Sequence, residues 1–331
     1  MRDVSALLRA LALAFLALTA AACAPRLQQL GPEMRLPAIE QVQEDGKTED
    51  RYVTRDGMKL GLMHWDASMP KAVIVALHGM NDYSNAFSMP GPWWAAQGLS
   101  TYAYDQRGFG KSPQRGIWPG GDLMRRDLSD FVDVMRRRYP NLPVYVLGES
   151  MGGAVAMTAF ASDMPPKADG LILIAPAVWG RMPFAYRLAL WTGAHTFRGA
   201  SFTGSGFKVT PSDNIEMLRA NGRDPLFIKG TRTDAIYGLV KLMGEAYASA
   251  PRLKTTNTPI LYLYGGRDQL IPKLPTETVM EELEPEAKIT TYPTGYHMLL
   301  RDLNAQPRWA DVATWIEEQP RTGPQMAVAA E

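Results

Sequence analysis

One serine in this chain stands where two contrasting runs meet. Val144 to Leu147 is β-branched, aromatic and apolar, Met151 onward is small and apolar, and between them Gly148-Glu149-Ser150-Met151-Gly152 fits G-x-S-x-G. A tight turn that tolerates only small residues would explain the pattern. So would a hydroxyl lifted out of the backbone, since flanking glycines permit a corner that a Cβ would obstruct. The helix that follows aims its first N–H groups at the place where negative charge would develop. A serine attacks a carbonyl only once a base takes its proton. A histidine late in the chain, with an acid ahead of it, would complete the set. Asp268, closing Tyr264-Gly265-Gly266-Arg267-Asp268, and His297, closing Gly295-Tyr296-His297, supply both. Together they would perform acyl transfer: Ser150 as nucleophile, His297 as base, Asp268 as the group that orients it. The backbone N–H groups of Met80, in Leu77-His78-Gly79-Met80, and of Met151 would form the oxyanion hole.

The other histidines are weaker candidates. His64 falls in an N-terminal hairpin pattern and His195 in a helical stretch, where structural or surface roles suffice, while His78 is placed to shape the turn that carries Met80. Gly108-Phe109-Gly110-Lys111-Ser112 ends like a phosphate-binding loop, but Asp105 stands where that motif needs its first glycine. Residues 105–110 read as a structural loop whose charges brace the site. With four histidines and one cysteine, no dense metal constellation and no internal disulfide can be assembled. No metal or organic cofactor is required by the chemistry.

The elements that must hold these residues follow from the pattern. Arg51 to Ala67 reads as a hairpin about Asp56-Gly57. Beyond it, short apolar runs at 72–77, 100–104, 143–147, 170–174, 260–264 and 288–292 alternate with helical stretches such as 122–138. That is an α/β fold with a mostly parallel sheet covered on both faces. Ser150, Asp268 and His297 then all emerge at carboxyl ends of strands, where such sheets gather their sites. Residues 178–250 interrupt the alternation and read as an inserted helical cap, rich in bulky groups. Trp179, Phe184, Trp191, Leu239, Met243 and Tyr247 either line an apolar tunnel for a substrate chain or form the cap's own core.

A formal net charge of +1 gives no reason to expect nucleic acid as a partner, and 46% hydrophobic residues suffice for a large core. The N-terminus is an address: Arg2 and Arg9, an apolar stretch from Ala10 to Ala22, then small residues before Cys23. Ala20-Ala21-Ala22-Cys23 resembles the lipobox of bacterial lipoproteins, which makes Cys23 the lipidated first residue of a mature, membrane-anchored protein. An ordinary cleaved signal or an uncleaved anchor are the other readings. Ala24 after the cysteine favours the outer membrane, facing the periplasm; with a cleaved signal the protein would be periplasmic or secreted. The expected organisation is a signal at 1–22, a tether at 23–49, a core at 50–177 and 251–320, the cap at 178–250, and a disordered tail at 321–331.

LHGMNDYS, AYDQRGFGKS, LGESMGG, LYGGRDQLIP and GYHMLLRD, in this order, resemble the α/β-hydrolase superfamily. More narrowly they are similar to the monoacylglycerol lipase and lysophospholipase group, placed with S33-type serine aminopeptidases. The resemblance spans about residues 50 to 318. It implies the α/β-hydrolase fold with its inserted cap, the roles given above for Ser150, Asp268, His297, Met80 and Met151, and lipid esters reached from the membrane as substrates. Glu149 departs from the group, which more often has His there; the expectation is altered local charge with the three catalytic residues intact. An S33-type peptidase or amidase, an acyltransferase, and a binding module without catalysis are the alternatives.

Overall fold

The computed structural model describes residues 24–320, apart from 45, 205 and 207. The signal segment 1–22, Cys23 and the tail 321–331 lie outside the described residues.

The chain opens with three antiparallel strands, β1 (Ala38–Glu44), β2 (Lys47–Val53) and β3 (Lys59–Trp65). β4 (Ala72–Leu77), α1 (Pro90–Ala96), β5 (Leu99–Tyr104), α2 (Gly121–Arg138), β6 (Val144–Glu149), α3 (Met151–Phe160) and β7 (Gly170–Ile174) follow. The cap holds α4 (Phe184–Thr196), β8 (Ser201–Phe202), α5 (Ile215–Arg223), β9 (Thr231–Arg232) and most of α6 (Thr233–Lys254). The chain then returns through β10 (Ile260–Gly265), α7 (Lys273–Leu283), β11 (Ala287–Tyr292) and α8 (Gln306–Glu318). Among the described residues nine strands form one sheet in the order β1-β2-β3-β5-β4-β6-β7-β10-β11, parallel from β5 onward, and β8 pairs with β9.

Every residue of β4, β5, β6, β7 and β10 is buried, which is why these strands read as continuous apolar runs. Successive side chains point to opposite faces. Val73, Val75, Val144, Val146, Leu171 and Leu173 pack under Phe131 of α2, Val155 of α3 and Leu242 of α6. Ile74, Tyr145, Leu147, Ile172 and Leu263 pack under Trp94 of α1 and Trp315 of α8. Burying that much apolar surface on two faces, at roughly 25 cal/mol per Å², makes the sheet a rigid base for the loops at its carboxyl edge.

Two expected boundaries need correction. The stretch 23–49 is not a tether throughout, because β1 and the start of β2 lie in it and pair in full register from Ala38↔Val53 to Glu44↔Lys47. β1 is an edge strand with no fully buried residue, so its sequence AIEQVQE has the polarity of a linker. The cap boundary at 250/251 falls inside α6, which runs unbroken from the cap into the core and carries Pro251 near its end.

Candidate active site

At the end of β6 the chain turns at Ser150 with φ 53° and ψ −117°, outside the regions open to most side chains. A non-glycine residue held there costs about 1–3 kcal/mol and persists only where its surroundings fix it. They do: Ser150 N–H donates to the Ile174 carbonyl at 3.0 Å, and its own carbonyl accepts from Ala154 and Ala177 at 3.1 and 2.9 Å. The two motif glycines are steric necessities. A Cβ on Gly148 would lie 2.5 Å from the Gly152 carbonyl oxygen, and one on Gly152 would lie 2.3 Å from that of Leu77. All ten residues of α3 behind the serine are buried, which anchors the corner to the core.

Asp268 and His297 come from the loops after β10 and β11, and His297 Nδ1 lies 2.7 Å from Asp268 Oδ2. Asp268 Oδ1 is occupied by the N–H groups of Leu270 and Ile271, at 2.7 and 3.2 Å, so the carboxylate cannot rotate away. An ionised carboxylate only accepts, so Nδ1 carries the proton and Nε2 keeps the lone pair a base needs. The Asp268 side chain is fully buried, and that of His297 is 7% exposed. The Ser150 hydroxyl makes no hydrogen bond among the described residues; such contacts tighten when substrate arrives.

Met80 follows Gly79, over which Ser150 Cβ lies 3.2 Å from where a side chain would begin. Met151 is the first residue of α3, whose early N–H groups have no intrahelical acceptor. Among the described residues, neither the Met80 nor the Met151 N–H is given to a turn or loop carbonyl. His78 is spent on shape: its Nδ1 donates to the Gly79 carbonyl at 2.8 Å and its Nε2 accepts from Gln106 N–H at 2.9 Å. Burial pushes its pKa down, which keeps it neutral in that role. His64 lies between Asp50 and Asp66, and His195 Nδ1 reaches only the Trp191 carbonyl. In the loop 105–110, Arg107 is buried between Asp56 and Asp127, at 2.5 and 2.6 Å.

Arg301 was not singled out from the sequence, although it lies within GYHMLLRD. It is 4% exposed and reaches Asp82, beyond Met80, at 2.7 Å and Glu149, beside the nucleophile, at 3.3 Å. One guanidinium thus joins the oxyanion loop, the serine corner and the histidine loop. Burial raises the pKa of Glu149, an effect that Arg301 opposes. Ser212 and Asp302 were missed as well. Ser212 Oγ donates to Asp302 Oδ1 at 2.8 Å, while Asp302 Oδ2 accepts from Tyr296 N–H, next to His297, at 2.9 Å. Neighbouring bonds are Met298 N–H to the Pro211 carbonyl, at 2.8 Å, and Asn214 Nδ2 to the Arg301 carbonyl, at 3.0 Å. Nothing in the spacing of Ser212 or Asp302 marks them; only the fold makes them neighbours.

The bulky cap residues divide. Trp179, Phe184, Trp191 and Tyr247 line a cavity of about 610 Å³ between α4 and α6, with Met182, Leu188 and Tyr237 among the other walls. Met243 is instead buried in the core cluster and Leu239 packs against it, so these two depart from the tunnel expectation. They sit on the side of α6 turned to the sheet. Ser150, Asp268 and His297 do not line this cavity, but its wall begins at Trp179, two residues after Ala177 binds the Ser150 carbonyl.

A mostly parallel sheet with a strained serine corner after β6, Asp268 and His297 in the loops after β10 and β11, and a helical insertion after β7 defines an α/β hydrolase. The sequence model described as serine aminopeptidase, S33, matches residues 68–304, and the chain belongs to that family. Among curated relatives, the monoacylglycerol lipase of Mycolicibacterium smegmatis is 27% identical over 293 residues, covering 82% of this chain and 97% of the relative. The monoglyceride lipase of Homo sapiens is 26% identical over 287 residues, covering 82% and 90%. The crystal structure of Paleococcus ferrophilus monoacylglycerol lipase superposes with a TM-score of 0.65 at 21% identity, covering 78% of this chain and 98% of that one. The chain is a monoacylglycerol lipase-like α/β hydrolase.

Proposed function

We propose that the protein is a membrane-tethered serine hydrolase that cleaves carboxylic esters of lipids, monoacylglycerols or lysophospholipids, through an acyl-enzyme on Ser150. His297 Nε2 takes the hydroxyl proton as Oγ attacks the ester carbonyl, and the oxyanion is held by the N–H groups of Met80 and Met151, each worth about 3 kcal/mol. His297 returns the proton to the departing alcohol; water, activated in the same way, then releases the acid. Asp268 fixes the imidazole and stabilises its charged form. The observation that carries this reading is the Asp268–His297 bond of 2.7 Å, with Asp268 Oδ1 pinned by two backbone N–H groups. The cap cavity, apolar and of ordinary ligand-site size, suits an acyl chain. Glu149 offers nothing to a peptide amine, since it is buried against Arg301, and this favours esters over peptides. Acylation of Cys23 would keep the enzyme on the surface that holds its substrate.

The test is the initial rate of acyl release from monoacylglycerols and lysophospholipids of graded chain length, with Ser150→Ala as the blank. A Ser150-dependent rate that peaks at medium or long chains supports the reading. Activity confined to very short esters would remove the lipase assignment. Folded protein with no rate above the blank would remove the catalytic one.

A further inference from the structure

The N–H of Met80 and the carbonyl of Gly79 belong to one peptide unit, planar and trans, so they point in opposite directions. Whatever holds that carbonyl aims that N–H. Two donors hold it: His78 Nδ1, at 2.8 Å, and the N–H of Asp82, at 3.3 Å. The second bond closes a turn from Gly79 to Asp82 with Asn81 in third place. Asn81 has φ 68°, the left-handed value that this place needs in a type II turn. The aim of the Met80 N–H therefore depends on Asn81 keeping a conformation that most side chains avoid.

The cap grips Asn81 twice. Ile228 N–H donates to the Asn81 carbonyl at 2.9 Å, and Asn81 Nδ2 donates to Thr231 Oγ1 at 2.7 Å. Thr231 opens β9 and pairs with Phe202 of β8, so its hydroxyl is carried on fixed backbone. The cap turn lies close against the turn that carries Met80. Between them is a space of about 10 Å³, lined by Met80, Asn81, Phe109, Ile228 and Thr231 among others, enough for one water at most. An asparagine here also has a cost. Its Oδ1 is buried with no hydrogen-bond partner among the described residues. Glycine would accept the positive φ and leave no such atom. What the amide adds is the bond from Nδ2 to the cap.

We propose that Asn81 and Thr231 are positioning residues for the Met80 donor, and that the oxyanion hole is complete only with the cap's Thr231 in place. This rests on the acyl-enzyme reading of Ser150.

The probe is a short alkyl trifluoromethyl ketone, labelled with carbon-13 at its carbonyl and added to the full chain. Ser150 Oγ bonds to that carbon, the hydroxyl proton passes to His297, and the ketone oxygen becomes an oxyanion facing the N–H groups of Met80 and Met151. The pKa of that oxygen, read from the carbon-13 shift across a pH series, reports the strength of the hole itself. Thr231→Val removes the hydroxyl and keeps the shape. It raises this pKa by about one unit and lowers kcat on a short, soluble ester by the equivalent factor of about ten, with KM nearly constant. Thr231→Ser restores most of both. Asn81→Gly loses the same bond but suits the turn, so it reads the same effect even where the valine variant is unstable. Combining the two substitutions loses no more than either alone, because they remove one bond. Tyr83→Phe removes a neighbouring cap bond, Tyr83 Oη to Asp224 at 2.6 Å, and leaves the oxyanion pKa where it is.

An oxyanion pKa unchanged in Thr231→Val and Asn81→Gly would overturn the inference and leave Ser150 as the nucleophile. An equal rise in Tyr83→Phe would also overturn it, since general loosening of the cap would then be the cause. Wild-type protein that forms no adduct, or an adduct that persists in Ser150→Ala, would remove the acyl-enzyme reading and the inference with it.

Discussion

Arg301→Met removes one buried cation from between two buried carboxylates, and the consequence can be worked out with its sign. The guanidinium lies 2.7 Å from Asp82 and 3.3 Å from Glu149, and all three side chains are at most 5% exposed. Breaking a buried ion pair by deleting one partner costs about 3–5 kcal/mol, because the remaining charge stays desolvated. Of the two carboxylates left behind, Glu149 has an escape. Burial already raises the pKa of Glu149, so the folded state favours its protonated form. For a carboxylate shifted in that direction, the associated stability is fully present below the unfolded pKa and is lost as pH rises through the folded one. Removing Arg301 takes away the main influence that lowers the Glu149 pKa, so the window of loss moves further up. The variant is therefore closest to wild type at acidic pH, and its deficit grows toward alkaline pH. Urea unfolding followed by circular dichroism, at several pH values, measures it for wild type, Arg301→Met, Glu149→Gln and the double variant. In the double variant one of the two carboxylates that faced the cation is gone while Asp82 remains, and at alkaline pH about 1–3 kcal/mol of the loss returns as coupling between the sites. A deficit under 1 kcal/mol, or one that ignores both pH and Glu149→Gln, would refute the argument.

Three other outcomes follow from the site. Ser150→Gly abolishes turnover yet raises the unfolding free energy by about 1 kcal/mol, since glycine relieves the positive-φ strain, which a denaturation curve will show. Asp268→Asn keeps the fold but turns the amide's donors toward His297, favouring the wrong tautomer, and kcat drops by roughly 10⁴ with KM little changed. Ser212→Ala frees Asp302 and loosens the Tyr296 backbone beside the base. In steady-state kinetics kcat falls about tenfold with KM nearly constant, as expected when an interaction made only in the transition state is lost, and Ser212→Thr restores most of it.

The serine corner and the parallel sheet were legible because both rest on local rules. Gly148 and Gly152 are needed where the chain nearly touches itself, and five strands buried on both faces leave unbroken apolar runs. Asp268 and His297 were legible because each closes a short loop after such a run. The buried contacts behind them were not. Asp82 and Arg301 come from two loops and Glu149 from the end of β6, and no periodicity links Glu149 to an arginine 152 positions on. β1 was hidden for the opposite reason, since an edge strand facing water has a linker's composition. For Met243 and Leu239 tunnel wall and core were both open readings, because bulk and helical spacing look alike on the two sides of α6.

These long-range bonds also determine which part of the cap can move. On one side, Ile228 N–H donates to the Asn81 carbonyl at 2.9 Å, Asn81 Nδ2 to Thr231 at 2.7 Å and Tyr83 Oη to Asp224 at 2.6 Å. They fasten the cap to the loop that carries Met80. On the other, residues 210–214 are fastened to the loops of Asp268 and His297 through Gln269, Met298, Arg301 and Asp302. Lifting the whole cap would break both sets and disturb the loops that carry Met80, Asp268 and His297. Among the described residues α4 makes no such bond to these loops, and it buries only Ala194. A displacement of α4 alone would open the cavity over α6 and leave both sets of bonds in place.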